Sequence, residues 1–94
     1  MGVSLATSGE ITFRNGRAQQ GNFHEYTLTR IHEAPRDVRI HLIPAKDWGM
    51  PLGGVGEPGL PAIAPAICNA IFAATGQRIR QLPIGSQLEP KATR

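Results

Sequence analysis

Polar and apolar residues alternate in two stretches of the chain. Residues 10–14 set Ile11 and Phe13 on one face and Glu10, Thr12 and Arg14 on the other, ahead of an Asn15-Gly16 dipeptide. That combination predicts a β-hairpin, because Asn-Gly supplies the two left-handed positions a tight turn requires. The returning limb, 17–21, is polar, and 22–31 alternates weakly. Alternation is clear again over 37–43, where Val38, Ile40 and Leu42 oppose Arg39 and His41 before Pro44, and predicts a further strand. Residues 45–59 carry Trp48 and Met50 among glycines and prolines and read as a long glycine loop. An almost wholly apolar stretch follows. It predicts a helix starting near Pro61 or Pro65, since proline suits a first turn, and ending at Gly76 as a C-cap, with Arg78 and Arg80 just past its negative end. Residues 85–94 are polar and read as a flexible tail. The expectation is an α/β chain in the sense of an α+β fragment: hairpin, further strand, glycine loop and one buried apolar C-terminal helix. No internal repeat is visible.

Size sharpens this picture. With 94 residues the chain is at most one small domain, and its only aromatics are Phe13, Phe23, Tyr26, Trp48 and Phe72. A helix as apolar as 60–74 expects cover on every side, which the rest of the sequence does not provide. The chain is therefore expected to lie against another polypeptide or to be part of a longer one.

Charge and cysteine usage remove several functions. The net charge of +3 is spread singly, and Arg78, Arg80, Lys91 and Arg94 are not interleaved with stacking aromatics, so nucleic acid is not indicated. Cys68 is the single cysteine, which excludes an intrachain disulfide and a thiol metal cluster; within the apolar helix it reads as a small buried hydrophobe. There is no run of 18 apolar residues, and the first residues lack the charged and apolar regions of an export signal. Gly2 does not make a myristoylation site, because Ala6 stands where Ser or Thr is needed. The cytoplasm is the default compartment, with a periplasmic one open through a partner or an N-terminal signal.

The chemistry-bearing residues concentrate in one place. Gly53-Gly54-Val55-Gly56-Glu57-Pro58-Gly59 puts one carboxylate inside a glycine loop that runs into the apolar helix. Flanking glycines admit left-handed backbone and close approach of a bulky ligand, and Pro58 fixes the chain after the glutamate. Against apolar surroundings such a carboxyl would have its pKa raised toward a general base's range. The plainer reading is a glutamate capping the helix N-terminus. Residues 54–59 also match G-x-G-x-x-G, but no strand ends at the first glycine and the next acid is Glu89, so a dinucleotide fingerprint is not supported. A looser possibility is that backbone amides at the helix start hold a phosphate or a ring oxygen. His24, His32 and His41 lack metal-site spacing. His24 and Glu25, adjacent on an extended segment, would point to opposite faces.

The order of motifs is more specific than any one of them. Asn22-Phe23-His24-Glu25-Tyr26, Val38-Arg39-Ile40-His41-Leu42, Gly54-Val55-Gly56-Glu57-Pro58 and the run from Ala64 to Gly76 together resemble the C-terminal end of the molybdenum-binding large subunit of the xanthine oxidase family. Within it the isoquinoline 1-oxidoreductase beta subunit and bacterial aldehyde oxidases are most similar. The resemblance spans 2–84, so that 1–84 is expected to be the C-terminal portion of a molybdopterin-binding domain. It implies that Glu57 is the base that deprotonates a metal-bound hydroxyl as its oxygen attacks an N-heterocycle or aldehyde carbon, water being the oxygen source. It also implies that Gly54, Val55 and Gly56 lie against molybdopterin cytosine dinucleotide, and that electrons leave through iron-sulfur clusters on a small partner subunit. Residues 1–8 resemble the middle of a family helix. Such subunits are several times longer, so this chain is expected to join a partner carrying the remainder and to be inactive alone. The alternative is a noncatalytic fragment or interaction module docking on a partner subunit.

Overall fold

The computed structural model describes residues 1–44, 46–47, 49, 51 and 53–88. Its element order is α1 (Gly2–Thr7), β1 (Phe13–Arg14), β2 (Arg17–Ala18), a 3₁₀ turn (Phe23–Glu25), α2 (Leu60–Thr75) and a last 3₁₀ turn (Gly85–Leu88).

The expected hairpin forms. Phe13 pairs with Ala18 and Arg14 with Arg17, around Asn15 at φ 51° and Gly16 at φ 75°, the two left-handed positions of the turn. The Gln19 N–H donates to the Thr12 carbonyl at 2.8 Å, and the Gln20 side-chain oxygen accepts from the Thr12 N–H at 2.9 Å, which carries the pairing past the last ladder residues.

A helix of six residues is too short to persist by local bonds alone, so α1 depends on tertiary contacts. Ala6 is fully buried and Ser4 nearly so. The Ile84 N–H donates to the Ala6 carbonyl at 2.8 Å, satisfying a helix-end acceptor that has no partner in its own helix. The Thr29 N–H donates to the Ser4 hydroxyl at 3.0 Å. On the side facing α2 the Gly2 backbone lies against the Ile63 side chain: a Cβ on Gly2 would stand 2.7 Å from Ile63 Cγ1.

In α2, Leu60, Ile63, Ala64, Ile67, Cys68 and Ile71 recur at spacings of three and four and are half-buried, while the opposite face is exposed and consists mostly of alanine and proline. The buried helix expected from composition is therefore covered along one stripe only. Its overall apolarity hides this, because small residues on the outer face raise hydropathy without requiring cover. Cys68 is likewise half-buried rather than buried. Pro65 lies inside the helix and leaves the Pro61 carbonyl without its usual donor, at an exposed position where water can serve instead. Gly76 ends α2 as expected, at φ 73°, its N–H donating to the Phe72 carbonyl. Arg78 then turns back: its guanidinium lies 3.5 Å from the Phe72 ring centroid and donates to the Asn69 Oδ1 at 3.2 Å. Ile79 and Ile84, with Ala6, complete the small core.

Three further expectations change. Residues 37–43 run without turn or bend but carry no ladder, because among the described residues no second strand lies alongside to take their backbone groups. The tail is ordered as far as Leu88, since the Gln87 side chain donates to the Gln81 and Pro83 carbonyls at 3.0 Å each and Gln77 Nε2 donates to the Gln87 carbonyl; residues 89–94 lie outside the described residues. Finally, Phe23–Glu25 is a 3₁₀ turn rather than extended, with Asn22 Oδ1 accepting from the Phe23 N–H.

The accessible surface is 8963 Å² for a 10.1 kDa chain, against about 5,300 Å² for a compact monomer of that mass. The radius of gyration is 17.6 Å, against roughly 12 Å for a compact domain of this length. The exposed apolar side chains include Ile31, Val38, Ile40, Leu42, Ile43 and Val55.

Candidate functional site

Glu57 lies one turn ahead of α2, in the bend that leads through Pro58 and the N-cap Gly59. Its backbone carbonyl accepts from the Leu60 N–H at 3.0 Å, which starts the helix and sets where the residue sits. The carboxylate accepts no hydrogen bond among the described residues, and α2 has no side-chain cap. Glu57 thus makes no capping hydrogen bond, and any support it gives the helix comes from its charge near the N-terminus. The apolar surroundings expected for it are also not provided by this chain: Glu57 is exposed, and Val55 is 94% exposed. No desolvation arises until something else covers the loop.

Gly54, Gly56, Glu57, Pro58 and Pro61 line a solvent-open concavity of about 610 Å³. A Cβ placed on Gly54 or Gly56 would meet nothing within 4 Å. Neither residue has the left-handed φ expected of it, and Gly59 has φ −77°. The glycines serve here by presenting bare backbone rather than by making a special turn. That surface suits a bulky planar group, which can approach the peptide planes as no side-chain-bearing loop would allow.

The helix start offers less to an anion than its position suggests. The Leu60 N–H is taken by the Glu57 carbonyl, Pro61 has none and the Ile63 N–H makes the first helix bond to the N-cap Gly59, which leaves Ala62 as the first-turn donor.

The structure brings Gly54, Val55, Gly56 and Glu57 together as one exposed loop and leaves the other candidates apart. His24, His32 and His41 are all exposed, and no group of His, Cys, Asp and Glu among the described residues could hold a metal ion. His24 Nε2 and Glu25 Oε1 approach to 4.0 Å, correcting the expectation of opposed faces, because the 3₁₀ turn rotates neighbours less than a strand does. Both are exposed, so the pair contributes little. Trp48 and Met50 lie outside the described residues. Sequence reading missed a groove of about 380 Å³ between α2, at Ala64, Pro65, Cys68 and Asn69, and residues 78–82. Only the return of Arg78 over Phe72 creates it, and no local pattern announces that return.

No family model matches the chain, and no solved structure matches it. Two curated relatives do. The chain is 35% identical over 83 residues to the isoquinoline 1-oxidoreductase subunit beta of Brevundimonas diminuta, an alignment covering 88% of this chain and 10% of the relative. It is 36% identical over 83 residues to the membrane-bound aldehyde dehydrogenase [pyrroloquinoline-quinone] of Gluconacetobacter polyoxogenes, with the same coverage. Both relatives are oxidoreductases by name, and the chain spans about a tenth of their length. The resemblance read from the ordered motifs is upheld: the chain is related to the isoquinoline 1-oxidoreductase beta subunit.

Proposed function

We propose that this chain is the base-bearing segment of a molybdenum hydroxylase that oxidises an N-heterocycle or an aldehyde with water as the oxygen source. The observation that carries the reading is the loop 54–57, where bare glycine backbone and an unengaged carboxylate share one open concavity at the start of α2. Molybdopterin cytosine dinucleotide would supply the oxygen-transfer and electron-accepting chemistry. Gly54, Val55 and Gly56 would form one wall for it through their peptide planes. Glu57 would stand at the edge of that wall and accept the proton released as the substrate carbon is attacked. A partner polypeptide carrying the remainder of the subunit would cover the loop, exclude water and give the carboxylate the apolar surroundings it lacks in this chain alone. Electrons would leave through iron-sulfur clusters on a small subunit.

The name of the aldehyde dehydrogenase gives that relative a pyrroloquinoline quinone. Metal and quinone content of the assembled enzyme are therefore read together with activity. In the assembled enzyme Glu57→Gln preserves shape and removes only the base, so turnover falls by about 10²- to 10⁴-fold while molybdenum stays bound. Undiminished turnover, or a quinone in place of molybdenum, overturns this reading. A noncatalytic interaction module is the second reading, favoured by the large apolar Phe72 side chain of α2, which this chain leaves exposed. It predicts unchanged turnover in Glu57→Gln.

A further inference from the structure

We infer that residues 37–43 are a donor strand, which pairs with the open edge of a β-sheet in the polypeptide carrying the rest of the subunit. The inference rests on the proposed function for the existence of that polypeptide, but not for the mode of contact. Residues 37–44 run without turn or bend, and among the described residues none of their backbone groups takes part in a backbone hydrogen bond. Val38, Ile40 and Leu42 are 69, 81 and 90% exposed and alternate with Arg39, His41 and, at the end of the stretch, the 92% exposed Ile43. Unpaired backbone calls for a sheet edge, and period-two apolarity calls for a sheet with one greasy face. A helix or a flat apolar surface would satisfy the side chains and leave the N–H and C=O groups without partners.

The excess accessible surface of this chain over a compact monomer is roughly 3,700 Å². A standard interface buries about 800 Å² on each partner, so this one-sided excess leaves ample surface for an extensive contact. A second copy of this chain is a poorer occupant. Antiparallel self-pairing about Ile40 would give an isolated two-stranded ribbon, which is marginal in water, and would set Arg39 beside His41 of the other copy. An edge strand of an existing sheet has neither defect. In the chain itself Arg39 is engaged only with Asp37, at 2.8 Å and in solvent, so turning this face toward a partner disrupts nothing else.

The test is amide hydrogen exchange on the full chain, free and co-expressed with the polypeptide corresponding to the rest of the relatives' length. The expected result is fast exchange at 38–43 in the free chain and, in the complex, alternate amides slowed by about 100-fold or more. Ile40→Pro removes an N–H that has no backbone partner in the free chain and weakens the complex by about tenfold or more. Arg39→Ala leaves the complex intact. A complex that forms with 38–43 unprotected overturns the strand inference and leaves the proposed function standing. Failure of any complex to form overturns both. Protection at 38–43 in a homodimer of this chain overturns the choice of occupant.

Discussion

Around α1 the chain is held by bonds between distant residues, whereas across 30–59 every hydrogen bond among the described residues closes within three positions. Ala6 binds Ile84, Ser4 binds Thr29, and Gly2 lies against Ile63. In the middle stretch, Arg30 binds Glu33, Arg39 binds Asp37, Gly49 binds Asp47 and Glu57 binds Leu60. The first region is a small but closed structure. The second is chain that has paid its local turns and left its apolar side chains, its extended backbone and its one chemically pointed carboxylate facing outward. The candidate site sits in the second region except for Pro61 at the start of α2, so its working geometry depends on what covers it.

Substitutions can break or sharpen that contrast. Ile84→Ala strikes the closed region hardest. It empties a core position that is 4% exposed and costs about 2 to 5 kcal/mol, read as loss of helical circular dichroism and of protection at 2–7. Gly2→Ala follows, because the new methyl would stand 2.7 Å from Ile63 Cγ1 and 2.9 Å from its Cβ, which is fixed to the helix, so the two helices must shift; a cost of about 1 to 3 kcal/mol is expected by the same measurements. Gly54→Ala is the contrasting case. The added methyl meets nothing in this chain, so stability of the free chain stays within about 0.5 kcal/mol. In the assembled enzyme the same methyl would occupy the face proposed for the cofactor and lower its content. Equal effects on free and assembled protein would remove the distinction between the two regions.

The hairpin at Asn15-Gly16, the span of α2 and its stop at Gly76 were legible because each follows from bonds a few residues long. The loop 54–57 and the kinship with oxidoreductase subunits were legible in the same way, as local order of residue types. Tertiary contacts decided the rest. Six residues became α1 only because Ile84, Thr29 and Ile63 meet them; one stripe of α2 is covered and the other bare; Arg78 folds back over Phe72; residues 37–43 stay extended without a neighbour. A strand pattern states a preference for pairing, and a glycine loop states a tolerance for close approach, but partners for both come from residues far away in the chain or outside it. That is why the identity of Glu57 could be singled out from sequence while its exposure could not.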